Sequence, residues 1–351
     1  MRKDIKVGII GYGLSGKVFH APIIGATEGL QVTKVVTSRR EEVRRDWPQV
    51  SVTEEPKDLI MDPDIDLVVI ATPNTLHYPL AKEALQAGKH AVVEKPFTIH
   101  SEEGEELARI AEEKGLALSV YHNRRWDNDF LTIKSCMEQG HLGEVHTWKT
   151  HYHRYRPLVR DRWRETAGEG AGTLFDLGSH LIDQALHLFG EPDTVWGDVL
   201  IQRDGAGAPD YFHLVLGYGD YRRVDLRSSS IVKGAGPRFE VHGSKGSFIK
   251  YGLDGQEEAL KQGAKPGDAG WGEDDPCNYG QLTLDRHGET VIETVPTLRG
   301  CYEEYYRQIR DALTHGAPVP VTAGEATRVI RVIERAMESS RTGRALRYAI
   351  G

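Results

Sequence analysis

Short apolar runs alternate with amphipathic stretches over the first third of the chain. Each run is long enough for one buried strand, and the stretch that starts at Ser101 and stops at Gly115 has the pattern of a helix. Strands that alternate with helices are typical of βαβ units, so we expect an α/β fold with a doubly wound, parallel Rossmann sheet over residues 1–122. The predicted strands are 6–10, 31–37, 66–71, 90–93 and 116–120.

The pattern changes after residue 122. Residues 144–156 alternate polar and aromatic side chains like one long strand, and glycine-containing turns separate further apolar runs between 211 and 251. We therefore expect a second, α+β domain over 123–351, with a large, mostly antiparallel open sheet. Such a sheet leaves one apolar face that a second copy of the chain would cover, so we expect a homodimer or homotetramer. The glycine-rich stretch 252–279 is expected to be a surface insertion or lid, with Trp271 pinning it.

Composition narrows the classes of function. The net charge of −8 argues against a nucleic-acid partner, because such partners are bound by a basic excess. No apolar run approaches the roughly 18 residues of a membrane span, and a strand begins almost at the N-terminus, where a signal peptide would lie. The three cysteines are far apart and form neither a disulfide framework nor a zinc pattern. We expect a cytoplasmic protein with no membrane partner.

Three glycines follow the first predicted strand at the G-x-G-x-x-G spacing of a dinucleotide-binding turn. In this pattern Gly11 permits the tight turn, Gly13 lets the backbone approach a diphosphate, and Gly16 lets the helix pack against the strand. The helix that follows supplies free N–H groups and a partial positive charge. The segment Gly11-Tyr12-Gly13-Leu14-Ser15-Gly16 is therefore predicted to bind a dinucleotide; the alternative is a glycine-rich turn that binds nothing.

The end of the second predicted strand indicates which dinucleotide. An NAD site carries an acidic residue there, which accepts hydrogen bonds from the ribose 2′-hydroxyl. This chain has Ser38, Arg39 and Arg40 instead. A small hydroxyl and two guanidinium groups suit a 2′-phosphate, which a carboxylate would repel. We therefore expect NADP as the cofactor; the alternative is a solvated basic turn.

Further cofactor contacts are expected where later strands end, because ligands bind at the carboxyl edge of a parallel sheet. Pro96 fixes the backbone directly after Lys95, which makes that lysine a candidate for chemistry rather than a solvated side chain. His77 is either a cofactor contact or a packing residue. The residues assigned to the cofactor at this edge are Thr72, Pro73, Asn74, His77, Glu94, Lys95 and Asn123.

A second group of polar residues lies in the helical pattern at 173–189. Asp176, His180 and Asp183 are spaced so that a regular helix would place them on one face. Gly172 and Gly178 beside them remove side-chain bulk. A carboxylate and an imidazole at this spacing either satisfy each other or carry acid–base chemistry.

Together these motifs resemble those of the Gfo/Idh/MocA family of sugar and polyol oxidoreductases, over the whole chain. The matching residues are the glycine segment 11–16, the tripeptide Glu94-Lys95-Pro96, and Gly172, Asp176, Gly178 and His180. The resemblance implies an NADP-dependent dehydrogenase that interconverts a secondary alcohol of a cyclic polyol and its ketone, with scyllo-inositol and scyllo-inosose as the expected pair. Two alternatives stay open: a dehydrogenase of another sugar (an aldose, anhydro-sugar or sugar acid), and a non-catalytic NADP-binding sensor.

The resemblance also implies roles for residues. Lys95 would bind the reacting hydroxyl and stabilise the developing alkoxide, His180 would be the general base, and Asp176 would orient His180 or hold a neighbouring hydroxyl. His151 and His153 share a strand face, but no third ligand is evident and the family uses none, so we expect no metal. The residues assigned to the substrate are Lys95, Arg124, Tyr155, Arg156, Trp163, Asp176 and His180.

Overall fold

The computed structural model describes residues 4–160, 164–234 and 236–349. The chain divides into two compact units. The first comprises the residues up to Trp126 together with Gln256–Trp271 and Cys301–Thr327, and the second comprises Asp127–Gly255, Gly272–Gly300 and the residues from Arg328 onward. The chain therefore returns twice to its first unit, whereas the sequence predicts a single division at residue 122.

The first unit contains a parallel, six-stranded sheet in the order β3-β2-β1-β4-β5-β6. This confirms the predicted doubly wound Rossmann sheet. The one strand that the apolar pattern missed is β3, which has three residues, none of them buried, and so lacks an apolar run. The strands are β1 (Ile5–Ile10), β2 (Leu30–Val36), β3 (Ser51–Thr53), β4 (Leu67–Ile70), β5 (His90–Val93) and β6 (Leu118–Val120).

The second unit contains a nine-stranded sheet in the order β14-β13-β12-β11-β7-β10-β9-β8-β15. Only β7 and β10 pair in parallel, which confirms the predicted large, mostly antiparallel sheet. The strands are β7 (Val145–His153), β8 (Thr194–Leu200), β9 (Tyr211–Tyr218), β10 (Arg222–Ser229), β11 (Phe239–Gly243), β12 (Gly246–Lys250), β13 (Gly280–Arg286), β14 (Glu289–Val295) and β15 (Leu346–Arg347).

Helices complete both units, and two of them begin with π-helical turns, at Ser15–His20 before α1 and at Leu174–Gly178 before α7. The α-helices are α1 (Ala21–Gly25), α2 (Arg40–Asp46), α3 (Pro56–Ile60), α4 (His77–Gln86), α5 (Ser101–Lys114), α6 (Asn128–Glu138), α7 (Ser179–Phe189), α8 (Gln256–Lys261), α9 (Glu303–His315) and α10 (Ala323–Thr342). Short 3₁₀ turns lie at Asn74–Leu76, Asn123–Trp126 and Pro276–Asn278.

The two late segments join the first unit because they carry apolar and aromatic side chains that complete its core. Leu260, Trp271, Tyr302 and Tyr305 are all buried in the same cluster as the strands of the parallel sheet. The prediction of a surface insertion at 252–279 is therefore wrong for the residues that the core buries. Trp271 does pin this stretch, since its indole N–H donates to Glu303 at 2.9 Å.

One face of the second sheet packs on the apolar core of its unit, and the opposite face carries ion pairs as well as the half-buried apolar side chains Trp196, Val215 and Ile249. On that outer face Lys149 pairs with Glu240 at 2.6 Å, and Asp225 pairs with Arg227 at 2.6 Å and with His213 at 3.0 Å. Alternation along each strand produces this arrangement, since the residues between these charged positions are the buried ones. The expectation that this outer face is apolar is thus wrong where these ion pairs lie. The homodimer or homotetramer stays a prediction.

Candidate cofactor site and active site

The glycine turn lies between β1 and the first π-helical turn, as the motif predicts. Gly11 has φ +100°, and a Cβ there would lie 2.5 Å from the carbonyl oxygen of Ala71. A Cβ on Gly16 would lie 2.0 Å from the carbonyl oxygen of Gly11. These two glycines are required by the packing of the turn itself, in agreement with the roles that the motif gives them.

Gly13 is different, because a Cβ there would meet no atom of the described residues within 4 Å. The backbone at Gly13 therefore faces open space in which a ligand can approach it. Its two neighbours diverge, since Tyr12 is buried with its hydroxyl 3.2 Å from Asp46, whereas Leu14 is largely exposed. Of these two, Leu14 is the side chain that is accessible to a ligand.

The end of β2 presents the basic residues that were assigned to the 2′-phosphate. Arg39 and Arg40 are about half exposed, and each lies near one carboxylate, 3.8 Å from Glu42 and 3.6 Å from Glu54 respectively. Exposed pairs of this length hold their side chains weakly, so both guanidinium groups are available to a stronger anion. Together with Ser38, two residues after the end of β2, they fit a phosphate better than a ribose hydroxyl.

The end of β4 supplies a buried polar atom that fits a bound cofactor. The hydroxyl oxygen of Thr72 is buried and has no hydrogen-bond partner within the described chain. Such groups in folded proteins are usually satisfied, so an orphaned hydroxyl at the carboxyl edge of the sheet is a feature that a ligand would complete. Pro73 follows at the surface, and Asn74 is buried in the 3₁₀ turn.

His77 has the packing role rather than an exposed contact position. Its ring is buried, with Nδ1 2.8 Å from the carbonyl oxygen of Pro96 and Nε2 3.0 Å from that of Thr72. Burial lowers the pKa of this imidazole below its ordinary value, although the carbonyl groups oppose the shift. His77 therefore connects the ends of β4 and β5, from which Thr72 and the tripeptide containing Lys95 extend.

Glu94 is buried at the end of β5, where three groups bind its carboxylate. The hydroxyl of Ser15 donates to it, His20 Nε2 lies at 3.1 Å, and the backbone N–H of Lys95 donates at 2.9 Å. Burial would raise the pKa of Glu94, but the hydrogen bond and charge of His20, assisted by Lys95 and Ser15, lower it to about 2. The carboxylate is thus ionised and links the glycine turn to the tripeptide.

Arg124 is held within the first unit by a late segment of the chain. Its guanidinium group donates to Glu257, and also to the hydroxyl of Tyr302 at 3.3 Å. Burial opposes ionisation of Glu257, but the charges of Arg124 and Lys261 lower its pKa to about 2. Asn123, one residue earlier, is buried in the 3₁₀ turn that follows β6. Sequence reasoning missed Glu257, because nothing local connects it with residue 124.

In the second unit, Asp176 lies in a π-helical turn and His180 in the first turn of α7. The prediction of one regular helix over this stretch is therefore wrong. π-Helical turns are rare and occur frequently at functional sites. His180 is buried with its ring centroid 6.5 Å from that of Tyr152, and Asp176 forms an ion pair with Arg164 at 3.3 Å. The structure thus brings Asp176 together with a basic residue of the segment that precedes it.

The other predicted substrate residues of this unit have unequal positions. Tyr155 is exposed, with the amine of Lys233 4.7 Å from its ring centroid. The backbone N–H of Arg156 donates to Ser230 at 2.7 Å, and its carbonyl accepts from Arg203 at 3.1 Å. Trp163 lies outside the described residues.

Arg203 is a buried residue that sequence reasoning missed. Its guanidinium group lies 2.7 Å from Asp210 and 3.0 Å from Glu165. It also holds the backbone of the segment that carries Tyr155 and Arg156, through the carbonyl groups of Arg156 and Leu158. Only its partners distant in sequence reveal this role.

His151 and His153 stack with ring centroids 4.2 Å apart. Burial, with the neighbouring charges of His153 and Arg238, lowers the pKa of His151 to about 4. Among the residues that the structure describes, no three His, Cys, Asp or Glu side chains group as a metal site requires. Over the same residues, no helix has the length and apolar character needed to span a membrane.

A doubly wound parallel sheet, with a close-packed glycine turn after its first strand and an ionised carboxylate beside Lys95, defines the dinucleotide-binding unit of an oxidoreductase. The family model described as an oxidoreductase NAD-binding Rossmann fold matches residues 5–122, and the model of the C-terminal alpha/beta domain matches residues 134–349. The chain belongs to the Gfo/Idh/MocA family of oxidoreductases, as its motifs indicate.

Individual relatives cover almost the whole chain. The chain is 53% identical to scyllo-inositol 2-dehydrogenase (NADP(+)) of Bacillus subtilis, over 97% of this chain and 95% of that protein. An oxidoreductase structure from Bacillus subtilis superimposes with a TM-score of 0.96 at 52% identity, covering 98% of each chain. One from Yersinia pestis superimposes with a TM-score of 0.94 at 45% identity, covering 100% of this chain and 99% of that one.

Proposed function

We propose that this protein is an NADP-dependent dehydrogenase that interconverts scyllo-inositol and its ketone, scyllo-inosose. The observation that carries the proposal is the set of acid–base residues of the family, Lys95, Asp176 and His180, in a chain 53% identical to an NADP-dependent scyllo-inositol 2-dehydrogenase. A protein that only bound NADP would have no use for such a set.

The first unit would hold the cofactor. The open backbone at Gly13 accommodates the diphosphate, Arg39 and Arg40 bind the 2′-phosphate, and the Thr72 hydroxyl gains a hydrogen-bond partner. When bound, NADP supplies the acceptor for the hydrogen that leaves the alcohol carbon with its electron pair.

The chain's own residues supply the rest of the chemistry. A secondary alcohol has no proton acidic enough to leave unaided near neutral pH, so oxidation requires a base for that proton and a cation for the developing alkoxide. His180 accepts the hydroxyl proton, and Lys95 stabilises the oxygen as negative charge develops on it. Asp176 orients His180 or holds a neighbouring hydroxyl of the substrate, with Arg164 limiting the freedom of its carboxylate.

The test is an initial-rate assay that follows NADPH absorbance with scyllo-inositol, myo-inositol, glucose and an anhydro-sugar as substrates. We expect turnover of scyllo-inositol with NADP, and loss of at least about a hundredfold in turnover in Lys95→Ala and His180→Ala. Both variants should still bind NADPH. His187→Ala, a change near the far end of the same helix α7, serves as the control and should retain activity.

Other outcomes would contradict the proposal in distinct ways. Good turnover of glucose or the anhydro-sugar without turnover of scyllo-inositol would assign a different sugar. NADPH binding without turnover of any polyol or sugar would favour a sensor. Undiminished turnover in both Lys95→Ala and His180→Ala would refute the assignment of the acid–base residues.

We also propose that the chain forms a homodimer or homotetramer. The support is the width of the second sheet, whose outer face carries charges of both signs, as Lys149 and Glu240 illustrate. A surface with both signs can be complementary to a second copy of itself. Light scattering that detects only a monomer at micromolar concentration would contradict this.

A further inference from the structure

The carboxylate of Glu94 is hydrogen-bonded to both motifs of the first unit, the glycine turn and the tripeptide Glu94-Lys95-Pro96. It accepts hydrogen bonds from the hydroxyl of Ser15, in the glycine turn, and from the backbone N–H of Lys95, in the tripeptide. One side chain therefore connects the glycine turn, which is the proposed cofactor site, to Lys95, which is proposed to bind the substrate. The position of the Glu94 carboxylate consequently affects both.

His20 holds the Glu94 carboxylate in place. Its ring is fully buried, Nε2 lies 3.1 Å from the same Glu94 oxygen that Ser15 binds, and Nδ1 lies 2.5 Å from the hydroxyl of Tyr306. An ionised carboxylate only accepts hydrogen bonds, so Nε2 carries the proton. Nδ1, on the other side of the ring, forms its hydrogen bond with the Tyr306 hydroxyl.

Tyr306 is suited to that role. It is fully buried on α9, and burial raises the pKa of its phenol well above the ordinary value, so the hydroxyl keeps its proton. The ring of Tyr121, at the end of β6, packs against His20 with centroids 4.4 Å apart, and against Tyr306 at 5.9 Å. These contacts leave the His20 ring little freedom to turn.

We infer that His20 and Tyr306 are positioning residues for catalysis. They act through Glu94 to keep Lys95 and the glycine turn in a fixed position relative to each other. Hydrogen bonds join Tyr306 to His20 and His20 to Glu94, and Ser15 and the Lys95 backbone also donate to Glu94. This inference rests on the proposed dehydrogenase function for its effect on turnover, although the hydrogen-bonded series itself does not.

The arrangement has a specific consequence for the reaction. Removing the Tyr306 hydroxyl leaves every ring contact in place but takes away the hydrogen-bond partner of His20 Nδ1, so that the ring contacts alone orient Nε2 towards Glu94. Lys95 would then be less well placed for the alkoxide, which develops only as the reaction proceeds. Interactions of this kind affect kcat more than substrate binding.

Tyr306→Phe and Tyr305→Phe form a matched pair of variants. The two tyrosines are adjacent on α9 and equally buried, but the Tyr305 hydroxyl donates to Ser119 at 2.9 Å and does not contact His20. We expect Tyr306→Phe to lower kcat by about 3- to 10-fold with KM and NADPH affinity nearly unchanged, the range expected for one hydrogen bond. Tyr305→Phe should keep the kcat of the wild type.

Substitution of His20 tests the middle member of the hydrogen-bonded series that joins Tyr306 to Glu94. His20→Gln keeps an N–H donor near the Nε2 position, and His20→Leu has none. We expect the kcat of His20→Leu to fall by about 10- to 100-fold, because a buried carboxylate loses a donor, and that of His20→Gln to be partly restored. Equal losses in the two variants would indicate that the ring matters only for its volume.

A readout that does not depend on turnover separates this inference from the proposed function. The cofactor-free protein is labelled with acetic anhydride, and acetylation of Lys95 is measured by mass spectrometry relative to Lys89. We expect labelling of Lys95 to rise about threefold or more in Tyr306→Phe, since a less firmly held Glu94 carboxylate fixes the Lys95 backbone less firmly, and to be unchanged in Tyr305→Phe.

The outcomes are distinguishable. If the wild type turns over no polyol but labelling changes as expected, the proposed function fails and the positioning role stands. If kcat and labelling in Tyr306→Phe both equal those of Tyr305→Phe, the positioning role is refuted whatever the substrate.

Discussion

The three glycines of the turn after β1 should respond to the same substitution in opposite ways. Gly16→Ala would place a methyl carbon 2.0 Å from the carbonyl oxygen of Gly11, a backbone atom that cannot move without distorting the turn. Gly11→Ala would place one 2.5 Å from the Ala71 carbonyl oxygen, at a residue whose φ of +100° disfavours any side chain. Gly13→Ala meets no described atom within 4 Å.

These distances determine the expected magnitudes. Real contacts of a Cβ are rarely below 3.0 Å, so the Gly11 carbonyl must shift by about an ångström in Gly16→Ala. Overpacking of this kind costs about 1–3 kcal/mol of the free energy of unfolding, and Gly11→Ala adds about 1–2 kcal/mol of backbone strain to its own clash. Gly13→Ala should leave stability unchanged within about 1 kcal/mol, because alanine also restricts the unfolded chain.

Cofactor binding should follow a different order. The added methyl group of Gly13→Ala occupies the space through which we propose that the diphosphate approaches the backbone. We therefore expect its Kd for NADPH to rise at least tenfold, a loss of about 1.4 kcal/mol. Urea unfolding of the cofactor-free protein gives the first quantity and NADPH fluorescence titration gives the second. A Gly13→Ala protein that folds normally and binds NADPH with the affinity of the wild type would refute this account of the turn.

Three further perturbations test the charges around the site. Arg39→Asp should shift the ratio of NADP to NAD activity towards NAD by tenfold or more, because it replaces a phosphate partner with a repelling carboxylate, whereas Arg44→Asp on the exposed side of α2 should not. Glu257→Gln should lower the free energy of unfolding by about 3 kcal/mol at pH 7, because the pKa of Glu257 is lowered to about 2. The stability that a lowered pKa gives is complete above the unfolded value and is lost as the pH falls towards the folded one, so the difference should shrink between about pH 5 and pH 2; equal differences at pH 7 and pH 3 would contradict this. Arg203→Met should cost about 3–5 kcal/mol in urea unfolding by leaving the buried carboxylate of Asp210 without its counter-charge, and adding Asp210→Asn should recover part of that loss; no recovery would indicate that packing dominates.

The features that could be predicted from the sequence are those whose determinants are adjacent along the chain. A buried parallel strand requires a run of apolar residues, so β1, β2, β4, β5 and β6 were identified, and the short β3 was not. The glycine motif was identified because its three roles are met within six residues. Lys95 was singled out for a similarly local reason, since it lies between a strand end and Pro96, and His180 was singled out for its spacing from Asp176.

The features that were missed depend on partners far apart in sequence. No local pattern connects His20 with Tyr306, Arg124 with Glu257, or Arg203 with the carbonyl group of Arg156. The π-helical turn at Asp176 was missed for another reason: its spacing is close to that of a regular helix over a few residues. A histidine in an apolar stretch just after the glycine motif was the one available signal for His20.

The late segments show why the sequence division at residue 122 differs from the structural one. Family models and periodicity both end the nucleotide-binding part at residue 122, where the alternation of strands and helices stops. Yet His20 and Tyr121 are fully buried partly by Tyr305 and Tyr306, which come from Cys301–Thr327. Without that segment the buried imidazole of His20 would lose its cover and the hydroxyl partner of its Nδ1, which is costly for a buried polar group. The first unit is therefore completed only after most of the chain has been made, and the His20 ring that binds Glu94 is held by Tyr306, 286 positions further along the chain.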